Sequence, residues 1–546
     1  MKLSKIILLL FISTSAFAQP FTYNWATAIG GRSQYQGEVD MVYSDFGLLY
    51  VTGDFQGTRN FGATTLAATG YNDVYVALCD TSGSIAWAIK GGSPFSYAFA
   101  SCIAIDNSSN IYVAGYFVNT VAFNTFSHSS SGQNDIFIAK LDFAGNAIWL
   151  NKAGGTSFDE PAAIYCDNSH IYLTGSFTNT ATFGSFTLTS SGSNDKEVFV
   201  AKYDLGGTCI WAKSAGGSGD DRGYDIAKDY SNNLAVSGYF NTMASFGSNS
   251  VTSIGFHDAF IAKYDDNGNN IWVSRGGSKG NDIGKSVGFD QFDNYYVAGD
   301  IGDTAMFGSY TVLDNGYGNV YVSKYNSSGV CQWARGGGSS SGDGLIDLSV
   351  RPDDGNCYVT GFINGSASFG STFLSGIGSN DVFVLRYNSS GNIIFGIKLG
   401  GTNYDQGKAI AADEGSGVIY LSGEYSGTVN IGTNSLPVPP AATWYQFITK
   451  IGTGTVSVSE TNYFDQPLNI YPNPVSESMT ISLDADIHGE SDILITDAAG
   501  KPVIVFAEYI RNAAFTVPLK NLAAGKYNIS IRNKGSEFRS GFIVIN

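Results

Sequence analysis

The 546 residues carry 47 acidic and 30 basic side chains, a formal charge of -17, with 14% charged residues overall. No basic cluster breaks that balance, which disfavours nucleic acid and anionic membrane as partners, since phosphate binding needs concentrated positive charge. With 68 glycines, 32 tyrosines and 36 phenylalanines, the chain is composed for short aromatic strands and tight turns, and it is too long for one ordinary core.

Lys2 and Lys5 precede an apolar run from Ile6 to Ile12, and Ala16-Phe17-Ala18 before Gln19 has the small-x-small form of a signal-peptidase site. Residues 1–18 are thus a predicted signal peptide. No later run reaches the roughly 20 apolar residues of a spanning helix, so no transmembrane anchor is expected. Cys79, Cys102, Cys166, Cys209, Cys331 and Cys357 form no CxxC pair. Most read as small buried apolar residues, and any disulfide pairing stays open.

From Trp25 onward one unit recurs. Trp25, Trp87, Trp149, Trp211, Trp272 and Trp333 follow each other at 61 or 62 residues, and Phe395 continues the series. A period of this length with four β-like segments predicts propeller blades. In one unit the strands are expected at Ala100 to Asp106, Ile111 to Phe117, Asp135 to Leu141 and Ala147 to Lys152, with a loop between the second and third. Third strands such as Val198 to Tyr203 are apolar on nearly consecutive positions, which requires both faces to be buried. Asp142-Phe-Ala-Gly145 and its counterparts predict hairpin turns. A glycine repeats in each second strand, Gly115 and Gly238 among them, and close approach of the adjacent blade is the expected reason. The chain begins with a fourth strand (Tyr23 to Ile29) and ends the array with a third (Tyr445 to Ile451), so the two ends should complete one blade together.

Ten residues after the repeat aromatic lie Asp159, Asp221, Asp282, Asp343 and Asp405, with Tyr35 and Tyr97 at the same count in the first two units. These carboxylates are the candidate channel-mouth ring. They read either as a cation or polyol site, with calcium the ion in question, or as side-chain caps on the crossing loops. No other cofactor and no catalytic residue is indicated: there is no GxSxG elbow and no P-loop. His128, His170, His257 and His488 have no zinc spacing. Lys140, Lys202, Lys263, Lys324, Arg386 and Lys450 form a second ring expected to reach neighbouring acids or the rim. Units that agree are built for packing, so a binding site is expected where they disagree, as at Tyr35, Tyr97 and the loop Pro437 to Pro440.

The turn-to-Trp segments Ala77 to Trp87 and Ala262 to Trp272 resemble the tryptophan-docking motif of quinoprotein dehydrogenase propellers, though those have eight blades and an adjacent cysteine pair. The order "GG, Asp, Tyr-Val-Thr-Gly, Phe-Gly, Asp-x-Phe-Val-Ala-Lys-Tyr-Asp, Gly-Asn, Trp-Ala" resembles the SBBP-type bacterial β-propeller repeat over about residues 22–452. That resemblance implies a secreted propeller and names no ligand. After a polar linker, Tyr471-Pro472-Asn473-Pro474, Thr496-Asp497, Gly525 with Tyr527, and Phe542 to Ile545 are similar to the type A C-terminal sorting domain of the Bacteroidetes type IX secretion system. The resemblance implies recognition by that export machinery and delivery to the surface or medium.

The expected fold is all-β: a seven-bladed β-propeller of four-stranded blades over 19–453, its last blade closed by the N-terminal strand. A linker over 454–466 and a small Ig-like β-sandwich over 467–546 follow. The expected function is a secreted or cell-surface binding or scaffold protein for a glycan or protein ligand. The alternative is a polysaccharide hydrolase or lyase built on loops of one face.

Overall fold

The computed structural model describes residues 21–453 and 466–544 apart from 33–38, 45–46, 414–416, 433, 441–442, 468, 472–477, 483–488, 498–501, 511–513, 520–521 and 534–535. The predicted leader with Ala16, Ala18 and Gln19, the linker 454–465, Tyr35 and Pro472-Asn473-Pro474 lie outside the described residues. The described chain is all strand and turn, without a helix.

The repeat unit is a four-stranded antiparallel meander. Its example strands are Tyr97–Ile105, Ile111–Val118, Asp135–Leu141 and Ala147–Gly155. Three of them outrun their sequence-based limits: Tyr97 to Phe99 pair with Val118 to Tyr116, and Gly154 and Gly155 pair with Thr182 and Ala181 of the next unit. The third strands Asp73–Cys79 and Asn319–Tyr325 are buried at every position, as their unbroken apolar patterns require. Each apolar cluster of the repeats draws on two consecutive units; Leu49 and Val51, for example, share one with Tyr420 and Ile448. First strands pack side by side from unit to unit, and Asp405–Ala412 packs beside Val39–Tyr43.

The N-terminal strand Phe21–Arg32 pairs antiparallel with Trp444–Thr453, which pairs in turn with Val418–Tyr425. Trp25 stands opposite Lys450, the register in which Trp149 faces Lys140 and Trp211 faces Lys202. The first strand of the chain therefore occupies the fourth-strand place of the last unit.

Three inter-unit devices explain the repeated residues. The indole N–H of five of the six seam tryptophans donates to a carbonyl in the next unit's turn, as Trp25 does to Thr81 at 3.2 Å, Trp149 to Leu205 at 3.2 Å and Trp333 to Ser389 at 3.0 Å. The closing glycine of that turn lies against the ring, where a Cβ on Gly391 would stand 2.7 Å from Trp333. Third-strand cations reach across the same seam, Lys202 to Asp266 at 2.6 Å, Lys140 to the Leu205 carbonyl at 3.2 Å and Lys324 to the Ser389 carbonyl at 3.4 Å, and each lies over a second-strand tyrosine ring; Lys324 also meets Asp290 of its own unit at 3.2 Å. The third device is an outer two-stranded hairpin, such as Thr180–Phe183 with Phe186–Thr189, where a loop was expected. Its buried Phe183 anchors it, and its backbone runs so close to the preceding fourth strand that a Cβ on Gly155 would stand 1.8 Å from the Thr180 carbonyl oxygen.

The second-strand glycines differ from expectation. A Cβ on Gly238 would meet the Arg222 carbonyl at 2.0 Å and the Phe260 ring at 2.7 Å, both within the same sheet. The β-bulge between Gly223 and Asp225 turns that carbonyl inward, so the crowding arises in the unit's own first strand and not in its neighbour.

Residues 466–544 form a five-stranded and a three-stranded sheet. Met479, Ile481 and Val517 from one and Ile493, Ile495, Ile529, Ile531 and Phe542 from the other share a single core. Tyr527 is buried there, stacks on Phe542 and donates its hydroxyl to the Ala523 carbonyl at 2.8 Å.

Candidate functional site

The five crossing carboxylates are inaccessible: Asp159, Asp221, Asp282 and Asp405 have no exposed surface, and Asp343 retains 8%. Each accepts from the backbone N–H four residues earlier, Gly155 to Asp159 and Gly217 to Asp221 at 2.7 Å, Ser278 to Asp282 and Ser339 to Asp343 at 2.5 Å, Gly401 to Asp405 at 2.6 Å. Second-strand ends supply further N–H groups, as Asn241 does to Asp221 at 3.0 Å and Asn364 to Asp343 at 2.8 Å. This is the bonding of loop caps.

Beneath each crossing lies a second acidic or amide group at the opening of the preceding third strand, which sequence reasoning missed. Asp135 is the partner of Asp159, Glu197 of Asp221, Asp258 of Asp282, Asn319 of Asp343 and Asp381 of Asp405. A Cβ on Gly154 would fall 2.6 Å from Asp135 Oδ1 and 2.9 Å from Asp159 Oδ2, so glycine is what fits between the two carboxyls. Burial, reinforced by the partner acids, pushes Asp159, Asp221 and Asp405 up to about 7 and Asp282 to about 6, against the pull of the capping N–H groups. Fourth-strand cations balance the lower members, with Lys152 3.4 Å from Asp135 and Lys398 3.1 Å from Asp381. The available signal was the Asp, Glu or Asn that opens each third strand.

A third acidic group stands where the first strands meet. Asp40 accepts from the Ile103 N–H of the next unit at 2.9 Å, Asp225 from Val287 at 2.8 Å and Asp347 from Ile410 at 2.8 Å. Ser286 Oγ lies 2.8 Å from Asp225 Oδ2 and 2.9 Å from Asp347 Oδ1. Burial and the mutual repulsion of these acids push Asp40 up to about 8, while burial raises Asp347 to about 7 and Asp225 to about 6. Among the described residues, no three His, Cys, Asp or Glu side chains converge as a metal-ligand set.

The surface features lie elsewhere. An antiparallel meander puts its first-to-second and third-to-fourth turns at one end, and its second-to-third loops and inter-unit crossings at the other. At the latter end the rim is aromatic: Tyr71, Phe95, Tyr97, Phe158, Phe256 and Tyr317 are exposed, Phe95 by 76% and Tyr317 by 89%. Tyr71, Phe256 and Tyr317 all stand two residues before the Asp or Asn that faces the end of the second strand. The opposite end exposes Tyr230 and Phe292 among turns capped by Asp side chains such as Asp142 and Asp265.

The densest part of this rim joins the first two units. Tyr71 and Tyr97 stack at 4.9 Å, Tyr97 and Phe99 at 6.3 Å with planes 5° apart, and Phe99 and Tyr116 at 4.9 Å. The Tyr71 N–H donates to the Ser96 carbonyl and Ala98 N–H to the Asn72 carbonyl, which holds the two chains in register. Phe95 adopts φ 58, a left-handed conformation costly for a bulky residue, and Asn119 Nδ2 holds its carbonyl at 2.9 Å. By strand register, Ala98 and not Tyr97 is the counterpart of Asp159, since Ala98 faces Phe117 as Asp159 faces Phe177. This crossing is one residue longer, so a count of ten from the tryptophan falls one residue short. Tyr97 corresponds to Phe158 and Tyr404. Two further aromatic groups occupy the same end, Tyr224–Tyr239–His257 and Phe362–Tyr404–Trp444. The Pro437–Pro440 loop contributes its Pro437 carbonyl as acceptor for the Tyr425 hydroxyl at 2.8 Å.

Of the sorting-motif residues, Tyr471 is exposed, while Gly525 and Tyr527 open the strand Gly525–Asn533. Residues 469–546 match the family of secretion system C-terminal sorting domains. That domain marks a secreted or cell-surface protein handled by the type IX machinery, and no helix among the described residues is long and apolar enough to cross a membrane. An uncharacterized WD repeat-containing protein of Acanthamoeba polyphaga mimivirus is 23% identical over 497 residues, covering 80% of this chain. The chain spans 33% of that relative's length. Among solved structures, the extracellular domain of a hybrid two-component system of B. thetaiotaomicron overlaps with TM-score 0.22 at 10% identity, covering 93% of this chain and 80% of that one. A DUF4221 family member from Bacteroides vulgatus overlaps with TM-score 0.27 at 10% identity, covering 80% and 99%. Overlap at this level is too slight to carry a structural or functional argument.

Proposed function

We propose that the chain is an extracellular, non-catalytic binding protein: a seven-bladed ring over 19–453, an Ig-like sorting module over 467–546, and a ligand-binding rim at the end formed by the crossings. Ring closure is supported by the packing of Asp405–Ala412 beside Val39–Tyr43 and by the pairing of Phe21–Arg32 with Trp444–Thr453. The binding reading rests on the stacked Tyr71–Tyr97–Phe99–Tyr116 series, whose Tyr71 and Tyr97 rings are exposed. Rigid aromatic rings with a polar hydroxyl present large contact area at little entropic cost, to the apolar face of a sugar or to a protein hot spot. The crossing acids do not suit catalysis. Asp159 has a proton affinity fit for a general acid, yet it lies under Gly154 with no surface for a substrate to touch.

The test is a glycan and protein array probed with the full chain and with a Tyr71→Ala/Tyr97→Ala double variant. Hits that weaken about tenfold or more in the variant, at unchanged melting temperature, support the reading. Turnover of a polysaccharide hit would replace it with the hydrolase or lyase alternative.

A further inference from the structure

At three of the six tryptophan seams the closure between units is double. Besides the indole bond, the side chain two residues beyond the tryptophan donates to the carbonyl of the turn glycine. Thr27 reaches Gly83 at 2.7 Å, Asn151 reaches Gly207 at 2.6 Å and Ser274 reaches Gly329 at 2.6 Å. After Trp333 that place is held by Arg335, whose Nη1 donates instead to the Ala334 carbonyl at 2.9 Å. The seam stays open there as a crevice of about 460 Å³, floored by Trp333 and lined by Arg335, Lys324, Gln332, Asn294 and Ser389. That volume is in the range of small-molecule sites.

The charges of the crevice are unequal. Lys324 is already neutralised by Asp290 at 3.2 Å and bonded to the Ser389 carbonyl at 3.4 Å. Arg335 is exposed and makes no ion pair among the described residues, whereas Arg275 meets Asp258 at 3.4 Å. Its guanidinium carbon lies 6.0 Å from the Trp333 ring. A planar cation with free N–H groups, beside amide and hydroxyl donors and an aromatic floor, is a recognition set for a carboxylate on a sugar-sized ring.

We propose that this crevice is a binding subsite for an acidic sugar, with Arg335 the anchor for the carboxylate. It lies at the opposite end of the units from the aromatic rim, so its failure leaves the rim reading untouched. The test is calorimetric titration of the full chain with galacturonic acid, its trimer and neutral galactose. The expected result is binding of the acidic sugars with Kd of roughly 1 mM or tighter and galactose at least tenfold weaker. Binding of the monomer assigns the site to free acid sugars, and binding of the trimer alone assigns it to a polymer. Arg335→Asn is expected to abolish binding while holding or raising the melting temperature, because asparagine reaches the Gly391 carbonyl as Asn151 reaches Gly207. Arg335→Lys should keep the charge and lose most of the affinity. No binding of either acidic sugar, equal binding of galactose, or binding unchanged in Arg335→Asn would each overturn the proposal.

Discussion

Trp211 Nε1 donates to the carbonyl oxygen of Asp266 at 3.2 Å across the seam between neighbouring units. The ring is 8% exposed and lies against Gly268, so one side chain supplies both the apolar contact and the polar latch of its seam. Trp211→Ala should cost about 3 to 5 kcal/mol, read by urea unfolding of the full chain, through the cavity and the lost indole bond together. A loss within experimental scatter would mean the seam carries no load.

Ser286 makes a prediction about protons. A hydroxyl has one hydrogen to donate, yet Ser286 Oγ is within bonding distance of carboxyl oxygens of both Asp225 and Asp347. Both contacts are satisfied together when one of the two acids carries a proton and donates it to Ser286. Folded-state values of about 6 to 8 for Asp40, Asp225 and Asp347 lie above the ordinary carboxyl value near 3.9, so the folded chain holds extra protons between about pH 4 and 8. The crossing acids near 7 act with the same sign. Stability from these groups is complete below the unfolded value and is lost as pH rises through the folded ones. The urea midpoint should accordingly fall from pH 5 to pH 8.5, and Asp347→Asn, which cannot ionise, should flatten that fall. An unchanged slope in the variant would rule out the shared proton.

Gly154 and Gly370 separate crowding from backbone strain. Both have positive φ, but a Cβ on Gly154 meets two carboxyl oxygens, whereas one on Gly370 meets nothing within 4 Å. Gly154→Ala should cost about 3 kcal/mol or more and Gly370→Ala about 1 to 2 kcal/mol, compared by the same unfolding measurement. Equal losses would show that the paired acids move apart freely.

The N-terminal strand should behave as part of the last unit. Deleting residues 21–32 removes the antiparallel partner of Trp444–Thr453 and bares a strand edge. Loss of the cooperative thermal transition and association on size exclusion are expected. Unchanged melting would show that the strand is dispensable.

The sequence by itself determined the unit, its four strands and the meeting of its two ends. Trp spacing, buried third strands and Asp-to-Gly turns are each set within a few residues by periodicity and backbone preference. It also determined the address, since the sorting domain is a local pattern in the last 78 residues. What only the tertiary structure decided depends on groups brought together from different units. The partner beneath each crossing acid, the Asp225–Ser286–Asp347 bridge and the source of crowding at Gly238 all join residues far apart in the chain. The register of Tyr97 was hidden for a simpler reason: an insertion of one residue is invisible to counting and appears only in which residue faces Phe117. Arg335 belongs with these. As a letter in the repeat it is an ordinary surface arginine, and only the missing bond to Gly391 makes it the wall of an open crevice.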